Sequence, residues 1–368
     1  PMSISLRSYL LAALGLTGLA ASGFVLKRYF KVGGRGLRRS KSNSDLRTGR
    51  FVTIEEWLRA DGTMGGLVAI DSQLERILRR VLVAIEEIQK ECANMGMGLA
   101  SLAHTSNSFG DDQLKLDLTA NRILFEAMQG LVSMASSEES PEERYMGGSK
   151  YSVGFDPLDG SSIVDTNFTV GTIVGIWEAD RLVGVDGKSM VCALMALYGP
   201  RTCLTIAIDG RPGAFEFTLG PPSGLFGKRK WLLTNAFAEI KEGNIFAPGN
   251  LRCAQDNEKY GKLNEYWIKN RYTLRYSGGM VPDVNQLLIK GQGIFVHPTS
   301  KNSPAKLRLV YEVAPCAYII EKAGGKSSDG ARSIMDVRVA STSDRVQVAL
   351  GSAKEVQRFE DMVGPAAL

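Results

Sequence analysis

Asp156 and Asp159 stand three residues apart in YSVGFDPLDGSSIVDTNFTVGTIVGIW (Tyr151 to Trp177), and Ser161 and Ser162 follow across Gly160. Two carboxylates held so close repel each other unless a cation neutralises them. An all-oxygen donor set suits a hard ion, Mg²⁺ or Mn²⁺. The Gly160-Ser161-Ser162 backbone can turn its N–H groups toward an anion, as nests and helix N-termini do. Metal and phosphate donors would then share one turn. An isolated Asp-Pro or Asp-Gly pair usually makes only a surface turn. The crowding of acids, glycine and hydroxyls between Asp156 and Ser162 argues for chemistry instead.

Positioning these groups takes a strand on each side. Val153 and Phe155 supply β-prone residues before the turn, Pro157 and Gly160 punctuate it, and Phe168 to Trp177 resumes as an apolar strand. Residues 51–70 mix turn and helix signals and receive no element. Leu74, Ile77, Leu78, Val81, Ile85 and Ile88 form a helical stripe within Asp71–Glu91. Asn94 to Asn107 has no periodicity and reads as a loop. Asp117 precedes a helix with an apolar face at Leu118, Ile123, Leu124, Ala127, Met128 and Leu131, where the helix dipole favours an acid. Thr202–Ile208 and Gly213–Leu219 read as a hairpin around Asp209-Gly210-Arg211-Pro212. Tyr272 to Gln286 reads as strand, glycine turn and helix, with Arg275 and Tyr276 offering a charge and a hydroxyl to a phosphate. Lys306, Arg308 and Glu312 fall on an expected strand, KLRLVYEVAP, that leads into a helix ending at Gly324-Gly325. Ser352 and Glu355 have capping-box spacing for a last helix through Val363.

DPLDGSS resembles the metal-and-phosphate motif of the fructose-1,6-bisphosphatase and sedoheptulose-1,7-bisphosphatase family, within the lithium-sensitive sugar and inositol phosphatases. The continuation IVDTNFTVGTI and the later APGNLR (Ala247 to Arg252) are similar to the sedoheptulose branch. FVHPTSKNSPAKLRL (Phe295 to Leu309) reads more like the fructose branch, with His297 where that branch commonly has Tyr. The resemblance covers roughly residues 70 to 363. It implies an α/β fold of alternating helix and sheet layers in two halves, residues 60–243 and 244–364. It also implies a homodimer or homotetramer. Asp111 and Asp117 match the family pattern GDxxxxLD, and Ser137-Glu138-Glu139 matches its SEE. The metal ligands so implied are Asp111, Glu138, Glu139, Asp156, the Leu158 carbonyl, Asp159 and Glu312, for two or three Mg²⁺. Asp117, Glu139 and Asp111 would position or deprotonate the attacking water. Asp159, Gly160, Ser161 and Ser162 would bind the 1-phosphate end of a sugar bisphosphate. Asn250, Arg252, Arg275, Tyr276 and Lys306 would hold its far phosphate, and His297 and Arg308 would also bind substrate. An inositol monophosphatase fits less well, because YEVAP (Tyr311 to Pro315) stands where that branch resembles WDxAA.

The chain has 368 residues, enough for one large or two ordinary cores. Residues 1–50 hold ten of its 44 Lys and Arg against one of its 39 acids. The basic excess therefore belongs to that segment, which excludes a nucleic-acid surface from the reading. An uncharged run from Tyr9 to Leu26, followed by an Arg- and Ser-rich stretch, reads as a targeting leader over residues 1–50. It fits a signal peptide joined to a plastid transit segment, or an uncleaved anchor that would be the chain's membrane contact. No Walker loop or dinucleotide fingerprint is present.

Five cysteines lack paired spacing, which suits a reducing compartment. In plant sedoheptulose bisphosphatases a cysteine pair precedes NSFGD, and here Ala100 and Thr105 occupy those positions. Phosphatase activity should therefore be unchanged by dithiothreitol or reduced thioredoxin. Strong activation on reduction would show that another pair has taken over the switch.

Overall fold

A computed structural model of the chain describes residues 51–59, 69–94, 102–106, 112–222 and 227–366, with backbone alone for 102–106 and 112–114. The expected leader and Asp111 lie outside the described residues. Among those described, no helix is long and apolar enough to cross a membrane.

Two large sheets alternate with three helical layers. The first sheet has eight strands, β3 (Met134–Ser137), β4 (Arg144–Tyr145), β5 (Tyr151–Asp159), β6 (Val170–Glu178), β7 (Met190–Tyr198), β8 (Thr202–Ile208), β9 (Ala214–Leu219) and β10 (Trp231–Phe237), in the order β10-β9-β8-β7-β6-β5-β3-β4. The second has β11 (Lys241–Pro248), β12 (Thr273–Leu274), β13 (Gln292–His297), β14 (Lys326–Ser328) and β15 (Val348–Gly351), in the order β12-β11-β13-β15-β14. α1 (Ile54–Leu58), α2 (Ser72–Ala93) and α3 (Lys115–Met128) share an apolar core with one face of the first sheet. α6 (Met280–Lys290) and α7 (Ala314–Lys322) fill the space between the sheets. α5 (Glu258–Lys269) and α8 (Ala353–Met362) cover the outer face of the second sheet. The layered α/β expectation holds.

The α2 stripe is buried at every position read from the sequence, from Leu74 to Ile88. Its N-cap Asp71 accepts the amides of Gln73 and Leu74 at 2.9 and 3.1 Å. The hairpin forms as β8 and β9, paired antiparallel.

Three expectations need correction, and one uncalled region gains a helix. Leu102–Ser106, read as loop, is a strand (β1) paired antiparallel with Asp112–Leu114 (β2). A five-residue strand with one three-residue partner carries too short a pattern to see. The uncalled region holds α1, closed by a capping box in which Thr53 N donates to Glu56 Oε2 at 3.0 Å and Glu56 N to Thr53 Oγ1 at 3.2 Å. The capping box expected at Ser352 and Glu355 is absent: Ser352 makes no cap bond. Glu355 is fully buried and instead accepts Trp267 Nε1, the Tyr272 hydroxyl and the Arg358 guanidinium. Tertiary donors outcompete the local cap. Finally, Leu309–Val313 is one π-helical turn rather than strand, closed by Val313 N on Arg308 O at 3.0 Å.

The hairpin tip secures α1. Arg211, 1% exposed, donates to the carbonyls of Trp57 at 2.6 Å and Leu58 at 3.2 Å, with its guanidinium 4.2 Å from the Trp57 ring centroid. Arg211→Ala strands two buried carbonyls and opens a cavity, so stability should fall by about 2–4 kcal/mol in urea unfolding. A loss below about 0.5 kcal/mol, the range of an ordinary surface substitution, would show that α1 is held by its apolar contacts alone.

Candidate metal and phosphate site

The site starts from a flaw in the sheet. Asp156 pairs with Ile173 but Asp159 with Gly171, so β5 gains one residue on β6 between the two aspartates. Such a bulge re-aims side chains at the end of a strand. Pro157, which has no N–H to donate, sits inside it, and its carbonyl accepts Thr172 Oγ1 at 2.8 Å. Asp156 Oδ1 accepts the Leu158 amide at 2.9 Å.

β3 runs parallel to β5 with Ser137 level with Phe155, and Glu138 N donates to Phe155 O at 3.1 Å. Glu138 therefore emerges beside Asp156 at the carboxyl ends of two parallel strands, where open α/β sheets bind ligands. The π-helical turn brings Glu312 in from the other side. Glu312 Oε2 accepts the Arg308 amide at 2.7 Å. The turn can press so close because β5 carries Gly154 there. A Cβ at Gly154 would lie 3.0 Å from Val310 O.

Glu138, Asp156 and Glu312 each offer an oxygen within 4.8 Å of the other two, and Asp156 and Glu312 are almost fully buried. Burial, then the charges of Glu138, Asp159 and Glu312, push the Asp156 carboxyl well above the usual range. Burial and Glu138 do the same to Glu312. Arg308 reaches Glu138 Oε1 with Nη1 at 2.8 Å. Its expected substrate-binding role is thus joined by an ion pair inside the carboxylate cluster. Three mutually repelling oxygen donors in a buried pocket fit a hard divalent cation.

Asp159 faces another way. Its two oxygens accept the amides of Met280 at 3.0 Å and Val281 at 2.6 Å, the first turn of α6. Burial raises it to about 6 against the pull of these amides. Gly160 follows at φ +87°, which a side chain resists, and turns the chain into the short helix α4 (Ser161–Val164). The first amides of a helix have no carbonyl partner within it, so Ser161 and Ser162 present theirs outward. A Cβ at Gly160 would lie 3.5 Å from Gly279 Cα, so this turn packs on the α6 N-terminus.

Asp117 lies in the first turn of α3 and is 1% exposed. One turn on, Asn121 accepts the Ser137 hydroxyl at 2.7 Å and donates to Ser140 Oγ at 3.2 Å. Residues four apart share a helix face. Asp117 therefore faces the Ser137–Ser140 turn that carries Glu138 and the half-buried Glu139.

The far-phosphate candidates gather at the carboxyl ends of β11, β12 and β13, which run parallel. Asn250 and Arg252 follow β11, Arg275 and Tyr276 follow β12, and His297 ends β13. Arg252, Arg275, Tyr276 and Lys306 are exposed. Asn250, at φ +47°, spends both amide hydrogens on the carbonyls of Pro298 and Ser303, at 2.9 Å each, and so braces the loop toward Lys306. His297 is 8% exposed, and its Nδ1 has no hydrogen-bond partner. Burial lowers it to about 4, helped by Lys306, so it is neutral at physiological pH. The sequence reading missed Asp283, a buried acid in the first turns of α6, although Pro-Asp after Gly-Gly was a visible signal.

All five cysteines are free; Cys92 is half-buried and the rest are buried. Burial, with the charges of Glu91 and Asp117, pushes Cys92 up to about 12, far from a reactive thiolate.

Two family models match the chain: Fructose-1-6-bisphosphatase, N-terminal domain, over residues 54–230, and Fructose-1-6-bisphosphatase, C-terminal domain, over residues 240–364. The chain belongs to the fructose-1,6-bisphosphatase family. It is 51% identical over 259 residues to the chloroplastic sedoheptulose-1,7-bisphosphatase of Spinacia oleracea, covering 69% of this chain and 65% of the spinach protein. It is 36% identical over 322 residues to the fructose-1,6-bisphosphatase class 1 of Geobacter metallireducens, covering 85% and 95%. Two solved fructose-1,6-bisphosphatase family structures are similar. A Toxoplasma gondii protein described as a sedoheptulose-1,7 bisphosphatase gives a TM-score of 0.73 at 34% identity, covering 80% of this chain and 95% of that one. The holo fructose-1,6-bisphosphatase of Leishmania major gives 0.74 at 27% identity, covering 85% and 99%.

The raised carboxyls carry a sign. An acid whose folded pKa is raised contributes stability below the ordinary carboxylate range and loses it as pH rises through the folded value. For Asp159 that value is about 6. The metal-free protein should therefore melt at lower temperature at about pH 8 than at about pH 5, and Mg²⁺ should raise the midpoint more at the higher pH. An Mg²⁺ shift at pH 5 equal to that at pH 8 would remove these carboxylates from the metal site.

Proposed function

We propose that this chain is a metal-dependent sugar bisphosphatase whose substrate is sedoheptulose 1,7-bisphosphate. It hydrolyses the 1-phosphate ester to give sedoheptulose 7-phosphate and inorganic phosphate. The observation that carries this reading is the buried Glu138–Asp156–Glu312 cluster beside the Gly160-Ser161-Ser162 turn, in a chain 51% identical to a protein named for that substrate.

Phosphate monoesters hydrolyse extremely slowly unaided, so the site must position water and stabilise developing charge. Mg²⁺ or Mn²⁺ held by Glu138, Asp156 and Glu312, with Glu139, Asp111, Asp159 and the Leu158 carbonyl as further candidates, would supply positive charge for the phosphoryl oxygens and favour ionisation of a water. Asp117, from α3, and Glu139, from the β3 end, orient that water and accept its proton. The Ser161 and Ser162 amides hold the phosphate being transferred. The leaving sugar oxygen takes up a proton, and the products are an alcohol and inorganic phosphate. Arg252, Arg275, Tyr276 and Lys306 receive the second phosphate through charge-assisted hydrogen bonds.

A second reading, fructose-1,6-bisphosphatase activity alone or alongside, is favoured by the fructose-like segment Phe295 to Leu309. Two relatives of 51% and 48% identity are named as chloroplastic, which supports plastid carbohydrate metabolism of the Calvin-cycle kind. We further assign a homodimer or homotetramer.

Phosphate release should be measured with both bisphosphates across an Mg²⁺ titration and after chelation. The expected result is a higher kcat/KM on the seven-carbon substrate and no activity in chelator. Equal or higher kcat/KM on fructose 1,6-bisphosphate sinks the substrate assignment, and activity in chelator sinks the mechanism. Asp159→Asn should lower kcat more than tenfold with the fold intact by circular dichroism. A variant keeping over a tenth of wild-type kcat would remove Asp159 from the chemistry.

A further inference from the structure

Asp283 is the fourth residue of α6 and is 2% exposed. Both its oxygens accept the Ser277 amide, at 2.9 and 3.1 Å. That bond closes a loop through Gly278, at φ +105°, and Gly279, immediately after Arg275 and Tyr276. On the other side, Arg275 N donates to Phe246 O of β11 at 2.9 Å. The Arg275–Tyr276 pair is thus held by its main chain at both ends. Its side chains give it less direction. Both residues are exposed, and Arg275 Nη1 donates to the carbonyl of its own neighbour Leu274. Burial, with the charges of Asp283 and Asp159, raises the Tyr276 phenol.

An apolar residue would fill this position of α6 at less cost than a buried acid placed near Asp159. The acid's visible return is the Ser277 bond. We propose that Asp283 is the positioning residue of the far-phosphate arm: by fixing the Ser277 amide it aims Arg275 and Tyr276, and so sets the preference for a sugar bisphosphate over a sugar monophosphate. This rests on the reading that Arg275 and Tyr276 meet the second phosphate. Without the bond, two consecutive glycines leave the arm free to move, and substrate must order it on binding. The cost falls on binding of the second phosphate rather than on the chemical step, because Asp283 touches no reacting group.

The test uses the bisphosphate that wild type hydrolyses fastest and the same sugar carrying the 1-phosphate alone. Asp283→Ala should raise KM for the bisphosphate at least tenfold, with kcat within threefold. Its kcat/KM on the monophosphate should stay within twofold, so the selectivity ratio falls at least tenfold. Asp283→Asn keeps one acceptor oxygen and should lie between, and it decides the matter on the same ratio if the alanine variant fails to fold. A ratio unchanged in the folded variants overturns the proposal. Equal losses on both substrates also overturn it, since a merely structural residue would give that. Arg275→Ala, assayed alongside, separates the layers. A ratio unmoved by Arg275→Ala overturns the reading of the arm itself. A ratio that falls with Arg275→Ala but holds in both Asp283 variants overturns the positioning role alone.

Discussion

Everything in this molecule is arranged around the repulsion among Glu138, Asp156 and Glu312. Carboxylates brought within 4.8 Å of one another and taken out of water are costly in any fold. They come together because each is delivered by backbone that is itself well paired. β3 and β5 lie side by side in parallel register, a bulge tilts Asp156, and a π-helical turn pushed onto Gly154 delivers Glu312. Both inner and outer faces of the first sheet pack on continuous apolar cores. That packing supplies the rigidity on which the acids depend. Arg308 offsets part of the charge through Glu138, and a bound cation would complete the balance. The strain is therefore local, and the scaffold around it is conventional.

Asp159 ties this centre to the second sheet. Its oxygens are occupied by the first amides of α6, a helix that packs between the sheets. Rotating or translating α6 would break a bond of 2.6 Å to a buried carboxylate, so the carboxylate cluster and the proposed far-phosphate arm are not free to drift apart. The two proposed phosphate contacts are thus spaced by secondary structure. Loops carry the side chains, while strands and helices set the distance between them.

Much of this was legible in the sequence, and the failures share a cause. DPLDGSS, the α2 stripe and the hairpin were readable because local pattern and global structure agree there. The T-x-x-E box at Thr53 closes a real cap because the side chains of Thr53 and Glu56 each accept the other's amide, whereas Glu355 is claimed by Trp267 and Tyr272 from another helix and a following loop. KLRLVYEVAP alternates like a strand, yet Glu312 must reach the cluster, and folding the segment into a π-helical turn brings it there. Arg308 was expected among the substrate-binding residues, but its partner Glu138 lies 170 residues away in the chain. Spacing along one segment cannot reveal a partner on another.

If the spacing between phosphate sites is fixed by the layers, discrimination between sugars differing by one carbon must reside in the side chains lining the far end. Substrates differing by one backbone unit are separated only modestly by contact area alone, on the order of 1–3 kcal/mol. Polar groups left unpaired by the wrong sugar separate them better. His297 is such a group: buried, neutral, and with Nδ1 lacking a partner at the end of β13. Asn250 is not, because its amide hydrogens are already spent on Pro298 and Ser303. Arg252, Arg275 and Lys306 are long, exposed cations that can follow a phosphate over a distance comparable to one carbon–carbon bond. As proposed contacts of the far phosphate, they would serve either sugar. Selectivity between the two sugars is thus expected from the few buried, fixed polar atoms, and affinity for the bisphosphate from the mobile charges around them.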